Sequence, residues 1–249
     1  MRHRPFSRIA FTATLLLSLA SIGSSALDDG FPIKRSLKQD TSKKYSMVVE
    51  FEVGGSLGHL EATVTEKVTS VDKDGNYTIT QSQENASGTF GGEKVDVPAR
   101  PPLVLVYKAN GQVTSIKDAA DAAAKSQIVD TLSYRMENLA TILDPGKNLE
   151  VGDLWTATIK EDKALGTVEA KGEYRLLSEE KVGDVDTLKI KATVREADGD
   201  KPAMNEFTEW RSKADGSMVQ LEEKWTNAPF PGVSYPVSAS IKMTLLPNK

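Results

Sequence analysis

The stretch Leu57–Ile79, LGHLEATVTEKVTSVDKDGNYTI, decides how the rest of the chain is read. Leu60, Ala62 and Val64 alternate with polar residues and open a strand that runs on to Val71. Period two with one apolar face is the pattern of a half-buried antiparallel strand. DKDGN, Asp72–Asn76, then supplies a hairpin turn, because Asp-Gly and Gly-Asn tolerate positive φ, and Tyr77 and Ile79 begin the returning strand. About a hundred residues later the chain repeats itself: LGTVEAKGEYRLLSEEKVGDVDTLKI, Leu165–Ile190, matches at Leu57/Leu165, Gly58/Gly166, Glu61/Glu169 and Ala62/Ala170. The order of turns recurs as well, with a glycine turn at Gly75 or Gly183 followed by NG at Gly111 or DG at Gly216. Meanders share turn chemistry, so the letters alone prove little; letters and turn order together point to one five-stranded meander used twice.

Upstream of this stretch, Tyr45, Met47, Val49, Phe51 and Val53 alternate with Ser46, Glu50 and Glu52 and predict a first strand. Downstream, the glycine- and proline-rich NASGTFGGEKVDVPARPP reads as a long loop, LVLVY at Leu103–Tyr107 as a buried strand, and Val113–Ile116 as the strand that closes the first meander. The period then changes. From Asp118 to Leu143 the chain is alanine-rich, free of glycine and proline, and places Ile128, Leu132, Met136, Leu139 and Leu143 on one helical stripe. Asp118 is a candidate cap, and Asp144-Pro145-Gly146 a stop. Strand patterns resume at VGDLWTATIKED and end with Val237, Ala239, Ile241, Met243 and Leu245 alternating against Ser238, Ser240, Lys242 and Thr244.

The expected fold is therefore mainly β (α+β), about eleven antiparallel strands in one β-rich domain over residues 45–249. Its parts are a first meander at 45–117, a helical region at 118–146 and a second meander at 147–249. Open antiparallel sheets of that size curl or split. Two architectures follow, a strongly curved half-barrel with the helix in its concave face, or a sandwich with the helix outside. The one-sided stripe and the long strands point to the first. This order of elements resembles the outer-membrane lipoprotein carrier family and related periplasmic lipoproteins, and the resemblance implies an unclosed barrel that holds helices inside and accepts acyl chains. The VGDLW turn, Val151–Trp155, is similar to entry turns of uncharacterised exported bacterial β-proteins.

The N-terminus reads as a secretory signal: Arg2, Arg4 and Arg8, an apolar run from Ile9 to Ile22, then Ser24, Ser25 and Ala26. It has no twin-arginine pair and no lipobox cysteine, so Sec-type export with cleavage after Ala26 and a periplasmic or secreted location are expected. Residues 27–44 follow as a polar leader arm. Loss of Arg2, Arg4 and Arg8 takes 31 basic residues to 28 against 35 acidic ones, a net charge of −7. That spread-out acidity argues against nucleic acid. The chain has no cysteine, which removes disulfides, thiol nucleophiles and thiolate metal sites.

Chemistry is sparse. Only His3 and His59 exist, and His3 lies in the signal, so no histidine triad or histidine-based metal site is expected. Glu179/Glu180 and Glu222/Glu223 are adjacent acids that a strand sends to opposite faces, so neither pair forms a dyad by itself. DKDGN lacks the length and final glutamate of a calcium loop. No catalytic residue, metal or cofactor is assigned. Trp155, Trp210 and Trp225 are either core anchors or, with Ile128, Leu132 and Met136, the lining of an apolar groove. The partner expected on this reading is an apolar small molecule or lipid. A packed structural or adhesion module that binds an envelope protein is the alternative, and a carboxylate-dependent hydrolase a second.

Overall fold

Alternation along the chain becomes register in a single sheet. The computed structural model describes residues 30–119, 127–230 and 237–247. The signal at 1–26 and the alanine-rich start of the expected helix, 120–126, lie outside the described residues. The first half contributes β1 (Ser42–Val53), β2 (Ser56–Val71), β3 (Tyr77–Phe90), β4 (Glu93–Val95), β5 (Leu103–Tyr107) and β6 (Val113–Asp118). After α1 (Gln127–Leu139) come β7 (Leu154–Ile159), β8 (Ala170–Val182), β9 (Val185–Glu196), β10 (Met204–Ser212), β11 (Met218–Ala228) and β12 (Val237–Leu245).

The strands lie in the order β6-β5-β3-β2-β1-β12-β11-β10-β9-β8-β7, with the short β4 beside β3. Every pairing is antiparallel. Each meander is thus a run of sequence neighbours, and the two runs are sewn together where β1 meets β12, from Tyr45 opposite Leu245 to Glu52 opposite Ser238. The free edges are β6 and β7, so the sheet is an unclosed barrel rather than a sandwich.

The turns that repeat are real. Asp72 Oδ1 accepts from the amides of Asp74 and Asn76, both at 2.9 Å, and Asn76 Nδ2 donates to Asp72 Oδ2 at 2.8 Å, which builds the hairpin between β2 and β3. Gly183 and Gly216, with φ of 59° and 68°, turn β8 into β9 and β10 into β11. The matched letters do not occupy matched places. Gly58 lies inside β2 under the Phe51 ring, where a β-carbon would collide, whereas Gly166 (φ 66°) sits in the turn that precedes β8.

The helix is shorter than its stripe. Asp118, the candidate cap, pairs with Leu103 as the last residue of β6, and the described part of the helix begins at Gln127. The helix stops at Leu139, and Leu143, the last residue of the stripe, is buried in the extended segment that follows. Asp144 Oδ1 then accepts from the Gly146 amide at 3.0 Å and turns the chain away. α1 reaches from the free edge strand β6 to β9, inside the other half of the sheet. On one side Tyr134 Oη accepts from the Ile116 amide of β6 at 2.8 Å. On the other, Arg135 donates to both carboxylate oxygens of Glu196 on β9, at 2.7 and 2.9 Å.

Candidate functional site

Strand parity fixes which side chains meet inside the curl. Met47, Val49 and Phe51 on β1, Leu60 and Val64 on β2, and Ile241 and Met243 on β12 all point to the concave face, opposite Met136 and Ala140 of α1 and the segment after it. Between these walls lies a cavity of about 840 Å³. Phe51 carries its apolar wall outward, stacked on Phe90 at 6.2 Å and tilted against Phe230 at 6.4 Å.

The same parity brings charge inside. Glu66 follows Val64 on the inner face of β2, Glu223 lies between Leu221 and Trp225 on β11, and Glu209 and Arg211 lie on β10. Arg35 reaches the cavity from the arm, whose Ile33 is buried and whose Phe31 pairs with Leu149. Glu209 is the hub of the cations: it accepts from Arg211 Nε at 2.7 Å and Nη2 at 3.4 Å, and lies 3.7 Å from Arg35 Nη2. Arg211 also donates to the Ile33 carbonyl at 3.0 Å, which ties the arm to the sheet.

The other carboxyls have neutral partners. Glu137 accepts from Tyr107 Oη at 3.1 Å, Glu66 from Gln81 Nε2 at 3.3 Å, and Glu223 from Asn205 Nδ2 and Trp225 Nε1, each at 3.0 Å. Loss of hydration disfavours a charged carboxylate. Burial accordingly pushes Glu137 and Glu223 up to about 7, against the pull of the Tyr107 bond in one case and the Trp225 and Asn205 bonds in the other. Glu66 also rises by burial, with Arg35 opposing. Arg35 moves the other way from what burial alone would do, because Tyr77, Glu209 and Glu66 hold its proton more tightly.

Trp225 and Met136 line this cavity. Leu132 is half-buried on α1 outside the lining, and the side chain of Ile128 lies outside the described residues. Trp155 is packed elsewhere: it stacks on Tyr174 at 5.2 Å and donates to the Leu143 carbonyl at 2.9 Å. Trp210 donates to Glu180 Oε1 at 2.6 Å beneath Lys189, whose Nζ lies 4.9 Å from the ring centre. The tryptophans therefore do not share one groove. Sequence reading missed Arg35, Glu66, Glu137, Glu209 and Arg211 and took Glu223 only as half of an adjacent pair, although a signal existed: Glu66 and Glu223 occupy positions whose neighbours two residues away are apolar.

His59 Nε2 lies 3.2 Å from Glu61 Oε1 on an exposed part of β2. Among the described residues no group of three or more histidines and acids is arranged to hold a metal, and no helix is long and apolar enough to cross a membrane.

No family model and no curated protein matches the chain. Among solved structures it is similar to lipovitellin, at 11% identity over 84% of this chain and 25% of that one, with a TM-score of 0.49. The chain thus spans about a quarter of the lipovitellin length. It is also similar to the hypothetical lipoprotein YmcC of Escherichia coli, at 13% identity over 84% of this chain and 88% of that one, TM-score 0.34. A Bacteroides fragilis protein with a YmcC-like fold matches at 12% identity over 86% of this chain and all (100%) of that one, TM-score 0.32. The resemblance read from element order is of this kind, a likeness of outline.

Proposed function

We propose that this is an exported, non-enzymatic binding protein of the bacterial envelope that holds an apolar or lipid ligand on the concave face of its sheet. The observation that carries the reading is the cavity: about 840 Å³, walled by Met47, Val49, Phe51, Leu60, Ile241 and Met243. Small-molecule sites typically occupy roughly 300–1,000 Å³ and are mostly apolar with a few polar groups that orient the ligand. A module that only presents its outer surface to a protein partner needs no such hollow. The basic, apolar and small-residue pattern of residues 1–26 supports export.

The test uses Trp225 as reporter in a Trp155→Phe/Trp210→Phe background. Titration with a neutral long-chain monoacylglycerol is expected to shift Trp225 emission, and Ala140→Phe, which fills the space between helix and sheet without adding a second indole, is expected to abolish the shift. Saturable binding that survives the filling substitution, or no binding at all, would overturn the reading.

One observation favours a second reading, a carboxylate-dependent hydrolase: two carboxyls raised to about 7, Glu137 and Glu223, line one cavity. Such values suit a general acid. Turnover of aryl glycosides or esters that disappears in both Glu137→Gln and Glu223→Gln would establish it in place of the binding reading.

A further inference from the structure

The charges inside the cavity do not balance, and the imbalance has a sign. The lining also carries Lys34 and Arg100, both exposed, and Asp118 and Asp144, both half-buried; besides these, four glutamates, at 66, 137, 209 and 223, face two arginines, at 35 and 211. Arg211 is committed to Glu209 through two nitrogens, and Arg35 lies nearest the same carboxylate. Glu66, Glu137 and Glu223 have no ion-pair partner within 4.0 Å among the described residues. All three line the same cavity.

Hydrogen bonding is unbalanced in the same direction. Asn205, fully buried behind Glu223, spends its amide NH₂ on Glu223 and the Leu139 carbonyl and leaves Oδ1 without a donor among the described residues. Carboxylates accept when ionised, and each unfilled acceptor in a buried site costs free energy. What this region lacks is a donor that carries positive charge. An incoming carboxylate or phosphate would instead add a further anion to a site of low dielectric.

We infer that the ligand of this cavity is an amphiphile with an amine-bearing, cationic head, seated against Glu66, Glu137 and Glu223 with its chain along the apolar wall of Met47, Val49 and Phe51. The inference rests on the binding role proposed above and narrows it to one head-group class. It separates this cavity from a carrier of free fatty acids, whose carboxylate would need Arg35 or Arg211, both beside Glu209, or the exposed Lys34 and Arg100.

The experiment compares three dodecyl probes below their micellar concentrations, displacing one uncharged fluorescent probe from the purified protein: dodecylammonium, monododecanoylglycerol and dodecanoate. The expected order places dodecylammonium at least about tenfold tighter than dodecanoate, the size of one charge-assisted bond. In Glu66→Gln/Glu137→Gln, and separately in Glu137→Gln with its fold checked by thermal melting, that ratio is expected to collapse toward one. Dodecanoate binding as tightly as dodecylammonium, or a preference unchanged in both variants, would overturn the head-group assignment. If the glyceride still binds, the lipid-binding reading survives that result. If none of the three probes binds, both fall together.

Discussion

The two meanders curl around very different interiors. Under the second, the concave face is solid: Trp155, Tyr174, Leu176, Ile190, Val194 and Phe207 pack with Leu139 at the end of α1 and with Ile142, Leu143 and Leu149 from the segment that follows it. Under β1, β2 and β12 the same face is hollow, and the wall residues Met47, Phe51 and Ile241 are only partly buried. The first meander keeps a smaller cluster of its own, with Tyr77 stacked on Tyr107 at 5.0 Å and Val68, Ile79, Leu105 and Ile116 around them. What separates a core from a binding site here is how the ten residues after α1 are shared: Leu143 and Leu149 fill the core, whereas Ala140, Thr141 and Asp144 border the hollow. Strand pattern alone does not distinguish them.

That contrast can be broken most forcefully at its hinge. Arg211→Ala leaves Glu209 buried with only the more distant Arg35, and removal of one member of a buried pair costs about 3–5 kcal/mol. Chemical denaturation should show this loss together with release of the arm, visible as faster proteolysis around Ile33, because Arg211 also holds the Ile33 carbonyl.

A paired substitution sharpens the comparison next. Leu176→Ala in the solid half should cost about 2–5 kcal/mol, since it opens a void in a closed core. Met47→Ala in the hollow half should cost less than about 1 kcal/mol, because it enlarges a space that already exists. Equal losses in urea melts would mean that the hollow is collapsed in solution.

The smallest effect is in pH dependence. A glutamate held up at about 7 from 4.5 binds its proton more tightly when folded, so its stabilising contribution is complete below pH 4.5 and is lost as pH rises through about 7. Glu223→Gln should remove that loss and raise stability at pH 8 relative to the parent by on the order of 1 kcal/mol. Melting temperatures at pH 5 and pH 8 check the sign: the variant should flatten the decline between them.

Much of the scaffold was legible because its signals are local. Alternation from Tyr45 to Val53, the Asp72–Asn76 turn and LVLVY at Leu103–Tyr107 each require only a few neighbours, and each became the element they predict. The helix was legible in kind but not at its end, because Leu143 answers to partners distant in sequence, the core of the second meander. The site was least legible. Trp155, Trp210 and Trp225 look alike as letters, yet they are separated by which face and which half of the sheet each occupies. Arg35 was hidden for the opposite reason: it lies in a stretch with no periodicity, and only the burial of Ile33 two residues earlier carries it into the cavity.

The seam between β1 and β12 has a kinetic meaning. Within each meander, strands pair with neighbours a short turn or loop away in sequence, contacts that form early because little loop entropy is lost. Tyr45 and Leu245, by contrast, are far apart in sequence and meet directly. Two half-sheets can therefore assemble separately during synthesis, and β12, which follows all the other described strands in sequence, is the one that joins them. Until it docks, β1 and β11 present bare edges beside an apolar hollow. A chain interrupted before Val237 would leave both half-sheets formed, unjoined and prone to aggregate.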